Sequence, residues 1–251
     1  MSRCLAIDVG NTSTTMGVVD AMRVLASGHV QHGIDDIDEV LGLVKRFQRT
    51  HAFEGVVLGS VVPHANVRWK KCIQGQTGYE PFLLTHNVRL SVGIDYPKPA
   101  TIGADRLANA CAAAELYGVP AIVADFGTAL TFDVINADGN YRGGVIAPGL
   151  PLMTDYLAER TALLPLISPR GRCDSVGRST AGAMRIGARV GYRGMIREIT
   201  SYLREQSDMQ DAVCCATGGF ASWVLADAGM DYHVDPDLTL KGLGEVYGLN
   251  H

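Results

Sequence analysis

The sequence predicts an α/β fold made of two similar halves, and three observations carry that prediction. An apolar strand ending in Asp, a glycine turn and a second strand appear twice, as Leu5-Ala6-Ile7-Asp8-Val9-Gly10-Asn11-Thr12 running on to Asp20, and as Ala121-Ile122-Val123-Ala124-Asp125-Phe126-Gly127-Thr128 running on to Asp133. Strand-like and helix-like segments alternate through the first half, as in layered α/β folds. The chain has 251 residues, 47% of them hydrophobic and 19% charged, enough to bury a substantial core in each half.

In chain order, residues 4–10 and 15–20 read as the first hairpin and 22–30 as a third strand. Asp35, Asp36, Asp38 and Glu39 open a helix, with carboxylates in the first turn where the helix dipole favours them. Ile37, Val40, Leu41, Val44 and Phe47 follow at helical spacing. Residues 56–62 read as a strand, 64–74 as a helix and 81–85 as a short strand. Residues 86–102 hold two prolines and little periodicity, and read as a surface loop of the kind that carries ligand contacts. From Gly103 an alanine-rich helix runs to Tyr117, implying a close neighbour, and looks like the link between the halves. The domain division predicted is 1–117 and 118–251.

The second half gives strands at 121–125, 129–135 and 141–146, a helix at 150–160 and a loop over 165–177. A long helix is predicted over 179–203, with Arg185, Arg189, Arg193 and Arg197 in one stripe. A solvated face is the first reading of that stripe and a dimer contact the second. A strand at 213–217, Gly218-Gly219, a helix to 228, a short strand at 232–234 and a helix over 238–247 close the chain.

Composition narrows the function classes. Net charge is −4, and aromatic residues are few and not interleaved with basic ones, so neither nucleic acid nor a membrane surface is an expected partner. No stretch reaches the roughly 18 apolar residues of a spanning helix, and the N-terminus lacks the apolar core of a signal peptide, so a cytoplasmic location is expected. The six cysteines form no Cys-x-x-Cys pair; buried thiols are expected at Cys214 and Cys215, with neither disulfides nor a zinc site. His29 and His32 are read as surface residues.

Chemistry concentrates at the two hairpins. A turn with glycine exposes backbone N–H groups to phosphate oxygens, and an Asp at a strand end suits a hydrated cation. One such turn means little, and capping is its ordinary explanation. Two, each framed by strands, favour the actin-like superfamily of kinases, with two ribonuclease H-like domains and a nucleotide cleft between them. Asp105 and Arg106 leave two readings about even. Asp105 caps a helix, or it takes a hydroxyl proton while Arg106 grips a carboxylate. Gly218-Gly219 allows a flat base to approach the backbone.

Nearly end to end, the chain resembles the type III pantothenate kinases. The resemblance rests on Asp8-Val9-Gly10-Asn11-Thr12, Gly103-Ala104-Asp105-Arg106, Asp125-Phe126-Gly127-Thr128-Ala129, Gly143-Gly144-Val145-Ile146-Ala147-Pro148-Gly149, Ala216-Thr217-Gly218-Gly219 and Leu238-Thr239-Leu240-Lys241-Gly242-Leu243. It implies phosphorylation of pantothenate by ATP with Mg²⁺, the first step towards coenzyme A. ATP phosphates would be held by Asp8, Val9, Gly10, Asn11, Thr12, Ser13, Thr14, Thr15 and Thr128. Asp105 would be the base, with Tyr96, Gly103, Ala104, Arg106 and Thr180 around the substrate. Asp125 would bind a monovalent cation, K⁺ or NH₄⁺, and the protein would be a homodimer. Ser13-Thr14-Thr15 is a hydroxyl-rich variant of a variable segment, and Arg178-Ser179 departs from the family's usual pair before Thr180. The alternative is a non-catalytic ATP-binding regulator of the same fold; Asp8, Asp105 and Asp125, all present, argue against it.

Overall fold

The computed structural model describes residues 3–31, 37–171 and 173–251. His32, Asp35 and Asp36 therefore lie outside the described residues. Two compact units divide the chain: residues 1–118, 139–142 and 237–251 form unit 1, and residues 119–138 and 143–236 form unit 2. A cut along the chain at 117/118 differs from this division because the last helix and the start of one strand pack within unit 1.

In unit 1, β1 (Cys4–Val9) pairs antiparallel with β2 (Ser13–Asp20), which pairs with β3 (Arg23–Gln31). On its other side β1 pairs in parallel with β4 (Gly55–Ser60), and β4 with β5 (Phe82–Leu83), giving the order β3-β2-β1-β4-β5. Side chains alternate across a strand, so β1 sorts its residues between two faces. Leu5, Ile7 and Val9 join Met16, Val18, Val40, Val44, Phe47, Trp69 and Ile73 in one buried cluster. That cluster is closed by α1 (Asp38–Thr50) and α2 (Asn66–Thr77). Ala6 and Asp8 take the opposite face. There α8 (Leu238–Asn250) packs on β1 and lies against α3 (Ala104–Tyr117). Ile37, Val40, Val44 and Phe47 are buried, as their spacing in the sequence predicts.

Unit 2 repeats the pattern. β7 (Ala121–Phe126) pairs antiparallel with β8 (Ala129–Ile135) and in parallel with β10 (Val213–Thr217), itself paired with β11 (His233–Val234). β9 (Asn140–Pro148) follows β8, so β11-β10-β7-β8-β9 matches β5-β4-β1-β2-β3 strand for strand. The first residues of β9 belong to unit 1 and carry β6 (Gly93–Ile94), a two-residue strand inside the segment predicted as loop. Ile122, Ala124 and Phe126 enter a buried cluster with Leu130, Phe132, Tyr192, Ile196 and Ala216. Asp125, like Asp8, falls on the other face of its sheet.

The helices of unit 2 are α4 (Leu150–Arg160), α5 (Thr180–Ile186), α6 (Tyr192–Arg204) and α7 (Ala221–Leu225). The predicted long helix is continuous from 180 to 204 but passes through a π segment at Gly187–Gly191. Its arginine stripe is only partly solvated: Arg197 is exposed, whereas Arg185, Arg189 and Arg193 are half-buried. Arg193 donates to the carbonyls of Val224 (2.8 Å) and Ala226, Arg197 donates to Ala228, and the Arg189 guanidinium lies 5.9 Å from the Trp223 ring centre. Cations placed there satisfy the orphan carbonyls at the end of α7. Cys4, Cys111, Cys214 and Cys215 are buried free thiols, and no described helix is long and apolar enough to cross a membrane.

Unit 1 also holds a cavity of about 300 Å³ lined by Met22, Ser91, Glu115, Gly244, Glu245 and Leu249. Burial pushes Glu245 up from 4.5 to about 7; the Glu115 charge adds to this and a hydrogen bond from Ser91 opposes it. A carboxyl with a raised folded pKa binds protons more tightly folded than unfolded. Stability therefore falls as pH rises from about 4.5 to about 7, and the loss is complete above that window. Glu245→Gln is expected to add on the order of 1 kcal/mol at pH 8, discounted for partial exposure, and nothing at pH 4. Urea midpoints at the two pH values measure it; an equal gain at both would contradict the assignment.

Candidate active site

The first hairpin turns at residues 10–12. The Gly10 N–H donates to the Ser13 carbonyl (2.9 Å), and a Cβ on Gly10 would stand 3.0 Å from that oxygen, so the tight turn fits glycine. Asp8 lies opposite Thr15 and Val9 opposite Thr14. Directly opposed residues share a face. Asp8 and Thr15 thus stand together on the face away from the large cluster, whereas Thr14 is fully buried on the side of Val9. Asn11 and Thr12 are exposed, and Gly10 and Ser13 half-buried. The Thr15 hydroxyl lies 3.1 Å from His29 Nδ1, so His29 is tied to this hairpin.

The second hairpin has the same plan with a shorter turn, Gly127-Thr128. Asp125 faces Thr131, as Asp8 faces Thr15, and Thr128 is exposed. Two glycines from elsewhere in unit 2 press on this turn. Gly218, at φ +90°, would carry a Cβ 2.6 Å from Asp125 Oδ1. Gly149, the residue before α4, would carry one 2.5 Å from the Gly127 carbonyl and overlapping that of Thr128. The Tyr192 ring meets Phe126 edge-on at 6.3 Å, and burial, with the Asp125 carboxylate nearby, pushes its phenol up. Gly218 is thus held by contact with Asp125 itself. Beside it, Arg170 donates to the Gly219 carbonyl (3.4 Å) and lies over the Phe220 ring at 5.5 Å.

The third group lies at the start of α3. Gly103 is the N-cap residue, so Asp105 sits inside the first turn rather than at the cap. Its Oδ1 accepts the Arg106 N–H at 2.8 Å. Burial raises the Asp105 pKa, opposed by that bond and by the Arg106 charge. A Cβ on Gly103 would overlap Asp105 Oδ1, so glycine here leaves the carboxylate its room. Asp105 therefore satisfies a helix N–H and also stands as a carboxyl of raised pKa, the environment that suits a proton acceptor. Ala104 is buried under the helix, and Tyr96 is half-buried.

Tyr96 and Arg106 meet on one further side chain that the sequence reading missed. The fully buried Tyr141 ring lies 6.1 Å from Tyr96 and 5.8 Å from the Arg106 guanidinium. In the sequence, Tyr141 is one apolar residue of a strand, and no local signal marks it. Unit 1 thus gathers Tyr96, Gly103, Asp105 and Arg106. Thr180 is in unit 2, where it opens α5 as an exposed residue after the Ser179 cap, whose hydroxyl accepts the Gly182 N–H at 3.1 Å.

The family model of the type III pantothenate kinases matches residues 4–202. The chain belongs to this family. A type III pantothenate kinase of Akkermansia muciniphila is 43% identical over 250 residues, covering 98% of both chains. One from Moorella thermoacetica is 37% identical over 254 residues, covering 98% of this chain and 99% of its own. Among solved structures, a Campylobacter jejuni protein assigned to the Baf family of transcriptional activators aligns with a TM-score of 0.64 at 18% identity, over 98% of each chain. The ROK hexokinase of Thermus thermophilus aligns with a TM-score of 0.51 at 15% identity, over 97% of this chain and 98% of its own. At such identities these structures establish the fold, that of the actin-like kinases, and the repeated strand order of the two sheets agrees with it.

Proposed function

We propose that this family member transfers the γ-phosphoryl group of ATP to the primary hydroxyl of pantothenate, giving 4'-phosphopantothenate and ADP at the first step of coenzyme A synthesis. The observation that carries the reading is the near full-length match to curated pantothenate kinases, in a chain that retains Asp8, Asp105 and Asp125.

In this proposal Asp105 accepts the hydroxyl proton as the oxygen forms its bond to phosphorus and the bridging bond to ADP breaks. Arg106 pairs with the substrate carboxylate, and Tyr96, Gly103, Ala104 and Thr180 complete the substrate contacts. Phosphate oxygens are met by backbone N–H groups and hydroxyls of residues 8–15 and by Thr128. Phosphoryl transfer depends on such positioning and charge neutralisation rather than on covalent chemistry. The donor set fits a metal carried by the nucleotide: Asp8, near the end of β1, is a carboxylate opposite the Thr15 hydroxyl, and no three His, Cys, Asp or Glu side chains gather among the described residues. Mg²⁺ bound with ATP neutralises phosphate charge. Asp125 is the proposed ligand of K⁺ or NH₄⁺. It lies opposite Thr131, and a carboxylate beside a hydroxyl offers oxygen ligands of the kind such an ion takes.

The proposed homodimer is supported by apolar side chains that unit 2 leaves in water. Leu163 is 88% exposed and Leu166 72%, with Tyr156, Val176 and Val190 also exposed. A cytoplasmic location accords with the free thiols.

The test is an ADP-release assay with pantothenate, run with Na⁺, K⁺ and NH₄⁺ as the monovalent cation. Turnover that requires K⁺ or NH₄⁺ is expected, and Asp125→Asn should weaken that dependence. No turnover of pantothenate under any cation would overturn the proposal and leave the non-catalytic ATP-binding reading.

A further inference from the structure

The segment carrying Tyr96 is tied to unit 1 in part through the start of β9. The Gly93 N–H donates to the Gly139 carbonyl (2.9 Å) and the Asp95 N–H to the Tyr141 carbonyl (3.0 Å), which fixes β6 against the start of β9. The Asp95–Arg142 ion pair is 3.6 Å long and largely exposed, so it adds little. Beyond Asp95 the backbone leaves β9, and the Tyr96 ring meets the Tyr141 ring at an interplanar angle of 63°. Edge-to-face contact of this kind has a preferred geometry as well as an apolar gain. The same Tyr141 ring takes the Arg106 guanidinium, a planar cation that an aromatic face orients. Arg106 also lies next to Asp105, whose carboxylate accepts its N–H. One buried ring thus touches a side chain from the 92–100 segment and another from the first turn of α3.

We infer that Tyr141 is a positioning residue for pantothenate: its ring sets the mutual placement of Tyr96 and Arg106, and with it the affinity for the acceptor substrate. This rests on the function proposed above. Tyr141 itself touches no substrate in this account. The positioning is assigned to the ring, which meets Tyr96 edge-on and lies under the Arg106 guanidinium.

The series Tyr141→Phe, Tyr141→Met and Tyr141→Leu separates positioning from bulk. Phe keeps the ring; Met and Leu, close to each other in volume, both remove it, Met with a flexible chain that adapts to gaps in cores. KM for pantothenate, KM for ATP, kcat and thermal midpoint are measured for each. Tyr141→Met is expected to raise KM for pantothenate roughly tenfold, the scale of one ring–ring and one cation–ring contact, with KM for ATP within about twofold. Tyr141→Phe should restore KM for pantothenate to within about threefold of the parent. If Tyr141→Leu does not fold, Phe and Met decide. A Met variant with unchanged KM for pantothenate, or one whose two KM values rise together in step with a lowered thermal midpoint, overturns the inference while the function stands. A parent protein that does not turn over pantothenate overturns the function, and this inference with it.

Discussion

Asp105→Asn is expected to lower kcat with pantothenate by about 10²–10⁴, the usual range for losing a positioned general base, while leaving the fold intact. The substitution is conservative where the structure constrains it. Asn retains an oxygen to accept the Arg106 N–H now held at 2.8 Å, and it fits the space that Gly103 leaves. What disappears is the ability to take a proton. The pH dependence gives a second readout. A base works ionised, so the rate falls as pH drops through its pKa. Burial raises the Asp105 pKa above 3.8, and Arg106 only partly offsets that. The acidic limb of kcat/KM should accordingly lie above the range of an ordinary aspartate and vanish in the Asn variant. A near-parental rate, or an acidic limb that survives the substitution, would remove Asp105 from the role.

What the sequence made legible is what depends on near neighbours. An Asp-x-Gly turn between apolar strands is a local signal, and β8 and β10 fall where alternation and turn residues place them. The opposite faces of Thr14 and Thr15 follow from pairing register, which a sequence does not display until the hairpin is closed. β6 escaped because two residues carry no period. The arginine spacing of four displays a stripe but not what lies across from it; only the fold brings the carbonyls of Val224, Ala226 and Ala228 beneath Arg193 and Arg197. The return of α8 to unit 1 is a contact across more than a hundred residues, and Thr239 donating to the buried Asn109 at 2.8 Å is part of it. The alanine-rich face of α3 did announce a close neighbour. It could not say which one.

That neighbour supplies a prediction in which one substitution, at two positions of one helix, has opposite signs. Gly242→Ala in α8 is expected to destabilise the protein by about 2 kcal/mol or more, and Gly242→Val by more still, whereas Gly248→Ala should stabilise it by up to about 1 kcal/mol. Helix propensity favours alanine over glycine by roughly 1 kcal/mol at an interior position, so propensity alone would make both changes favourable. At Gly248 nothing lies within 4 Å of an added Cβ, and propensity decides. At Gly242 the added Cβ would overlap the Ala108 carbonyl oxygen and stand 2.5 Å from its carbon and 2.9 Å from its Cα. Those are backbone atoms of α3 and cannot rotate away, so relief requires the two helices to separate. Separation opens the seam between α3 and α8, where Ala108 and Asn109 of α3 are fully buried. It would also strain the Thr239–Asn109 bond and expose a buried amide. Because Asp105 rides on the first turn of α3, the Gly242 variants should lose catalytic rate as well as stability, and Gly248→Ala should lose neither. Urea midpoints with the ADP-release assay on the same preparations measure both; shifts of the same sign at the two glycines would refute the close approach of the helix backbones.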